Sequence, residues 1–320
     1  MKEISLFKAL KNIVHNLDSK KGKIMKLLIT GGRGFIGSHF VESALERGHE
    51  IIDIDKMTYA SNLILPWDNH ANYKLIKKDI NDLEYIPSCD VIVNFAAESH
   101  VDNSIKISDV FVRSNIMGVH NILELLKNKP KYERPLFFHI STDEVYGDIL
   151  EGKFKETDRL KPSNPYSATK ASAEMMVLSY SRTYDIDYII SRSGNNYGPR
   201  QYEEKLIPKS INNILKGKKI PIHGDGSYVR DWVYVKDNVE AIFHLIHSGV
   251  RNETYNIGSE NYLTNLQVVD SIIDWIGYGE YEFVENRKGQ DLRYAVSPRK
   301  INDLGWSPKH TQGIYRWKEF

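Results

Sequence analysis

The sequence predicts an α/β protein: a doubly wound parallel sheet followed by a smaller mixed α/β unit. Three observations predict it. Residues 26–45 read as strand, glycine-rich turn and helix, with KLLITGGRGFIGS leading into Phe40, Val41, Ala44 and Leu45 at helical spacing. Short apolar runs then alternate with helical patterns as far as about residue 199, as parallel strands joined by helices do. Several of these runs end in polar residues, and in an open α/β sheet ligands sit at the carboxyl ends of the strands.

Composition narrows the classes. A chain of 320 residues can bury a large core, and 41% apolar with 27% charged residues is ordinary for a globular protein. A net charge of +1 gives no global attraction to nucleic acid or to an anionic membrane. No apolar run approaches the ~20 residues of a membrane span. One cysteine, Cys89, excludes an internal disulfide and fits a reducing compartment, so a cytoplasmic location is expected. No metal site is expected.

Residues 1–25 carry Leu6, Phe7, Leu10, Ile13, Val14 and Leu17 at helical spacing among lysines, which predicts an accessory helical extension. Lys26–Thr30 is the first strand. Gly31, Gly34 and Gly37 follow as GxxGxxG, with Phe35 and Ile36 between them. Such glycines allow a tight turn and let a pyrophosphate approach the helix N-terminus. Glu50–Asp55 is the second strand. Its last carboxylate falls 18 residues after Gly37, where an acid binds the ribose 2′-hydroxyl of NAD and repels the 2′-phosphate of NADP. Lys56 and Thr58 continue that edge. Arg33 is the opposing signal, because a loop arginine can hold the 2′-phosphate; the balance favours NAD.

Tyr73–Lys77 is the third strand, followed by Asp79 and Ile80 on the adenine side. Residues 90–95 form the fourth, ending at Phe95 and running into Ala96 and Ala97, small enough at the strand end for a cofactor to lie close, and then Ser99 and His100. Residues 107–127 read as one helix. Asn115 within it bends the helix, holds a water or is simply tolerated.

Leu136–Ile140 is a buried strand ending in Ser141, Thr142, Asp143 and Glu144. Ser163 or Asn164 then caps a helix and Pro165 suits its first turn. Tyr166 and Lys170 are four apart and share a helix face. A phenol titrates near about 10, and a neighbouring ammonium lowers that value, so this pair suits proton transfer near neutral pH. Residues 187–192 are the sixth strand, again ending in polar residues that include Asn195 and Asn196. Beyond 199 the pattern becomes mixed. A helix opens around 204–209, and two short strands flank a glycine turn over 220–235. A helix over 237–249, an apolar YNIG and a helix over 266–276 follow, then a polar segment over 285–294. Lys205, Lys209, Arg230, Arg287 and Arg293 are basic groups able to converge on a diphosphate, or else ordinary solvated charges.

Together TGGRGFIGS, AAESHVDNSI, STDEVYGD, NPYSATKASAE, GNNYGPRQYEEKLIPK, RDWVYVKD, YNIG and RKGQDLRY make residues 26–310 resemble the extended short-chain dehydrogenase/reductases. Within them the chain is most similar to the nucleotide-sugar 4,6-dehydratases. The YxxxK pattern marks the superfamily. Thr142-Asp143-Glu144 marks the subfamily, since related epimerases usually carry small or uncharged residues there. The resemblance implies a Rossmann-like NAD-binding unit over 26–199 with the catalytic residues. It implies a nucleotide-sugar-binding unit over 200–320, parts of which are free to cross back to the sheet. It also implies a homodimer through the Tyr166 helix and the 107–127 helix.

The implied substrate is dTDP-glucose or UDP-glucose, and the product its 4-keto-6-deoxy derivative. Tyr166 would take the 4-hydroxyl proton while NAD accepts the C4 hydride and later returns it to C6. Thr142 would hydrogen-bond the 4-oxygen, and Lys170 would keep the tyrosine acidic. Glu144 would remove the C5 proton and Asp143 would protonate the departing 6-hydroxyl. That demands a neutral Asp143 beside an ionised Glu144, a split that neighbouring like charges favour. Ser141 and Asn196 would join the cofactor contacts. Ser99, His100, Asn195, Asn196, Glu204, Lys205, Leu206 and Lys209 would flank the sugar nucleotide. Pro221, Ile222, His223, Arg230, Asn265, Arg287 and Tyr294 would approach its phosphates or base. Asn103, Lys288 and Gln290 depart from bacterial relatives, leaving thymine and uracil open; one methyl group is worth only about 1–3 kcal/mol. The alternatives are a 4-epimerase or decarboxylase on the same fold, or a non-catalytic NAD-binding protein.

Overall fold

The computed structural model describes residues 23–286 and 289–314. Most of the expected 1–25 extension, together with Arg287 and Lys288, lies outside the described residues. Seven parallel strands form the central sheet in the order β10-β6-β5-β4-β1-β2-β3. They are β1 Lys26–Thr30, β2 Glu50–Asp55, β3 Tyr73–Lys77, β4 Val91–Asn94, β5 Leu136–Thr142, β6 Tyr188–Ser193 and β10 Glu253–Ile257. Strand order reverses between β1 and β4, and such switch points open a crevice above the strand ends. Both faces are covered, so the inner strands read as unbroken apolar runs. On one face α1 (Phe35–Glu46) and α7 (Val235–His247) pack together, and Phe40 stacks on Phe243 at 4.4 Å. On the other, α4 (Gly118–Lys127) and α5 (Pro165–Tyr184) bury Val119, Ile122, Leu123, Ala173 and Val177. Each fully buried large apolar side chain stabilises the fold by about 2 kcal/mol.

The stretch expected as one helix over 107–127 is broken. Short helices α2 (Val101–Lys106) and α3 (Asp109–Phe111) are followed by a π-turn, Val112–Met117, before α4. The turn carries Asn115, whose side chain accepts from Glu98 N at 2.8 Å and donates to Glu98 O at 3.0 Å and Thr169 Oγ1 at 2.9 Å. One asparagine therefore ties the loop after β4 to the Tyr166 helix.

The remaining elements form a second lobe. β7 (Asn195–Tyr197), β9 (Val229–Tyr234) and β11 (Tyr262–Thr264) make one small sheet, and β8 (Ile220–His223) pairs in parallel with β12 (Tyr281–Val284). The two strands expected around a glycine turn thus exist, but they join different sheets. α6 (Leu206–Leu215) and α8 (Asn265–Ile276) cover them. The chain between returns to the large sheet as α7 and β10, and α9 (Arg299–Asn302) packs beside β10.

Candidate active site

A cleft of about 310 Å³ opens above the carboxyl ends of β1, β2, β4, β5 and β6. Its first wall is backbone. Gly31 has φ of +73°, and a Cβ there would lie 2.7 Å from Ala96 N, so only glycine lets the turn rest against the end of β4. A Cβ at Gly37 would lie 2.2 Å from Gly31 O, so the helix could not sit on its own loop. No side chain caps α1 at Gly34, which leaves its first amides available for an anion. Phe35 and Ile36 begin that helix at the cleft, and Phe95, Ala96, Ala97 and Ser99 line the opposite side.

Asp55, Lys56, Thr58, Asp79 and Ile80 line the far end. Asp55 is oriented by Arg33 N at 3.0 Å, Met57 N at 2.7 Å and Ser61 Oγ at 3.2 Å. Lys56 lies 3.5 Å from Glu98 and 3.9 Å from Asp79. Arg33, read as a possible phosphate ligand, is buried instead. Its guanidinium binds Asp68 and the carbonyls of Asn62 (2.9 Å) and Leu63 (2.7 Å), so it braces the 58–68 loop. At the near end Asn196 donates to Ser193 Oγ and Gly194 O. Its Oδ1 and the Oε1 of Gln201 are buried on the same wall without hydrogen-bond partners. Uncapped amides, a ribose-facing carboxylate and these acceptors suit a dinucleotide.

The second wall is chemical. Ser141, Thr142, Asp143 and Glu144 lie at the end of β5, opposite Tyr166 and Lys170 of α5. Asn164 caps that helix, accepting from Ser167 N at 2.9 Å, with Pro165 in the first turn. The Thr142 hydroxyl donates to Asp143 Oδ1 at 3.3 Å, accepts from Glu144 N at 3.3 Å and hydrogen-bonds Tyr166. Burial, then Glu144 and Asp231, push the Asp143 carboxyl well above the usual range, which favours its neutral form. Burial also raises Glu144, while Arg230, Lys205 and a hydrogen bond from Asn164 oppose the rise. Both carboxyls are thus raised, Asp143 the further of the two, and more cationic and hydrogen-bonding groups oppose the rise at Glu144.

Tyr166 departs from expectation: its phenol is pushed up, not down, by burial and by Glu144, with only the Thr142 hydrogen bond opposing. Lys170 points away from that task. Its Nζ donates to Ile140 O at 2.6 Å, and burial lowers it to about 8 against the pull of Glu174. The hydroxyl of Ser141 is likewise committed, donating to Glu174.

A second cavity of about 180 Å³ continues from Glu144 into the smaller lobe. Ser99, His100, Asn195, Glu204, Lys205, Leu206 and Lys209 line its mouth. Pro221, Ile222, His223, Arg230, Asn265 and Tyr294 line its depth. Arg230 is held by the carbonyls of Val229 (2.8 Å) and Asp291 (3.0 Å) and lies 4.3 Å over the Tyr294 ring. Tyr294 in turn donates to Asp291 at 2.8 Å. His223 is oriented by the Glu285 carbonyl at 3.0 Å. Lys205 donates to Ser99 O at 3.0 Å, and His100 lies 3.9 Å from Glu204. Arg293, expected among the converging basic groups, turns instead to the carbonyls of Ile149 (3.1 Å) and Gly152 (2.9 Å). Arg287 lies outside the described residues.

Sequence reasoning missed Gln201, Tyr202, Trp232 and the second role of Asn164. Trp232 and Asn164 sat inside quoted motifs without an assigned contact. Tyr202 pairs edge-on with Tyr59 at 5.2 Å, and Tyr59 OH reaches Glu204 at 3.3 Å, a contact between distant loops that no local pattern announces.

The fold and the two walls define a dinucleotide-binding enzyme with a sugar-sized extension of its cleft. Residues 28–314 match the GDP-mannose 4,6-dehydratase family, and the chain belongs to that family. It is 45% identical to the low-salt glycan biosynthesis protein Agl12 of Haloferax volcanii, over 89% of this chain and 94% of that one. It is 42% identical to the dTDP-glucose 4,6-dehydratase of Neisseria gonorrhoeae, over 89% and 91% of the two chains. The crystal structure of DesIV, a dTDP-glucose 4,6-dehydratase from Streptomyces venezuelae solved with NAD bound, superposes with a TM-score of 0.85. Identity to it is 39%, covering 89% of this chain and 92% of that one.

Proposed function

We propose that this protein is an NAD-dependent hydro-lyase converting a nucleoside-diphosphate glucose to its 4-keto-6-deoxy derivative. The observation that carries the reading is the pair of adjacent buried carboxyls at the end of β5, Asp143 with one oxygen unpartnered and Glu144 facing Arg230, Lys205 and Asn164, beside Tyr166 and Thr142. A 4-epimerase needs only the tyrosine and threonine; elimination needs an acid and a base as well.

Bound NAD supplies a hydride acceptor at C4 and a donor to C6. Gly31, Gly34, Gly37 and the amides of Phe35 and Ile36 would hold its pyrophosphate, Asp55 an adenosine ribose hydroxyl, and Asn196 an amide or hydroxyl donor at the other end. Tyr166 is placed to take the 4-hydroxyl proton, a role that needs its phenolate and so requires the positive charge of an oxidised nicotinamide beside it to offset the upward push of burial, and Thr142 fixes the 4-oxygen. The resulting ketone makes the C5 proton acidic. Glu144 removes it, and a protonated Asp143 donates a proton to the leaving 6-oxygen, so one water departs; Glu144 then returns its proton to C5 as C6 is reduced, and the proton taken by Tyr166 makes good the one Asp143 gave up. Arg230 and Lys205 hold the diphosphate. The cavity among Pro221, Ile222, His223 and Asn265 takes the base, thymine or uracil.

The reading extends to a cytoplasmic homodimer. Ile107 and Met117 of the broken helix are 63% and 49% exposed, and Met175 of α5 is 48% exposed, an apolar face suited to a second copy. Mass spectrometry of reactions with dTDP-glucose and UDP-glucose, offered separately and together, tests the function. Loss of one water without added reductant is expected, and the ratio of rates names the base. Product of unchanged mass would move the assignment to an epimerase.

A further inference from the structure

We propose that the buried Glu174–Arg192 pair is a positioning clamp that grips the Thr142-Asp143-Glu144 segment from both ends and locks it to the helix of Tyr166 and Lys170. The inference rests on the dehydratase reading of that segment. Arg192 lies on β6 and Glu174 on α5, one turn beyond Lys170; the two side chains are 5% and 0% exposed. Arg192 engages both carboxylate oxygens, with Nε at 3.1 Å from each and a terminal nitrogen at 2.6 Å from Oε2.

The pair touches the segment on either side. Ser141, the residue before Thr142, donates its hydroxyl to Glu174. Tyr146, two residues after Glu144, accepts from the other terminal nitrogen of Arg192 at 2.7 Å. Tyr146 then donates to Asn256 Oδ1 at 2.8 Å, and its ring lies under the guanidinium at 4.7 Å. Asn256, on β10, is fixed by Glu156 Oε1 at 2.9 Å and the Phe154 carbonyl at 3.1 Å. β5, β6, β10 and α5 thus meet in one closed network directly behind the reacting carboxyls.

Two physical points favour positioning over simple stabilisation. Desolvating two charges offsets most of their attraction, so a buried pair adds little net stability. The planar fork of arginine, by contrast, fixes the geometry of everything it bonds. The elimination step depends on where two carboxyls point, and a displacement of about 1 Å can cost about 100-fold in rate. Oxidation at C4 depends on Tyr166, whose helix start is held by Ser104 and by the Asn164 cap, and on Thr142, which sits beside the Ser141–Glu174 anchor that a change at Tyr146 leaves in place. Loosening the far anchor should therefore separate the two steps.

The test is Tyr146→Phe, which keeps the ring and removes the bond to Arg192, with Glu174→Gln as the stronger variant. Single turnovers are followed both by absorbance of the reduced cofactor and by mass of the sugar nucleotide. For Tyr146→Phe the clamp predicts C4 oxidation within about twofold of wild type, water loss slower by tenfold or more, and reduced cofactor that accumulates. Oxidation and water loss falling together, or neither changing, would overturn the clamp. Should Glu174→Gln fail to fold, Tyr146→Phe alone decides. Failure of wild-type protein to release water would count against the dehydratase reading and not against the clamp.

Discussion

The two walls of the cleft are built on different physical principles. The β1–α1 wall works through backbone shape: a positive φ at Gly31, no room for a Cβ at Gly37, where one would lie 2.2 Å from Gly31 O, and helix amides with no side chain across them. The β5–α5 wall works through protonation, with burial raising the Asp143 carboxyl and the Tyr166 phenol and lowering Lys170 to about 8. The difference teaches what each wall tolerates. One added methyl group breaks the first, whereas the second fails on an isosteric change of charge that leaves its shape intact.

Substitutions sharpen this contrast. The largest effect is expected from Gly37→Ala, whose new Cβ meets the Gly31 carbonyl. It should cost about 3 kcal/mol of stability in thermal melts and abolish cofactor retention. Tyr166→Phe should leave the fold and cofactor untouched yet lower C4 oxidation by about 10³-fold in single-turnover absorbance. Glu144→Gln should spare oxidation and trap the reduced cofactor, with water loss down about 10³-fold; surviving dehydration would remove Glu144 from the role of base. Asp143 gives the pH signature. It must be protonated to donate, so water loss should fall as pH rises through its raised pKa, and Asp143→Asn should erase that limb of the profile.

The smallest effect concerns a titrating support behind the glycine wall. Asp53 is buried, accepts from Gly32 N at 3.0 Å and Tyr73 OH at 2.8 Å, and is raised to about 7, chiefly by burial. A raised carboxyl contributes stability that is present below its unfolded value and lost as pH rises through the folded one. Stability should therefore decline between about pH 4 and 7, and Asp53→Asn should flatten that slope in denaturant titrations at several pH values.

Much of this was legible in the sequence where it depends on neighbours in the chain. β1, β2 and β3 span the stretches their apolar runs and turn residues mark, and a cap at Ser163 or Asn164 follows from Pro165 and the helical run behind it, with Asn164 the one that caps. What depends on distant partners was not. The π-turn at Val112–Met117 accompanies Asn115 reaching Glu98 and Thr169, and β8 and β9 separate because β12 and β7 claim them. Arg33 looked like a phosphate ligand because nothing local announces Asp68. The i, i+4 spacing of Tyr166 and Lys170 put them on one face, yet the Ile140 carbonyl takes the ammonium and burial governs the phenol.

The most direct measurement follows the hydrogen at C4. Given nucleoside-diphosphate glucose deuterated at C4, the account predicts a product one water lighter with the deuterium at C6. Deuterium retained at C4 in a product of unchanged composition would contradict it.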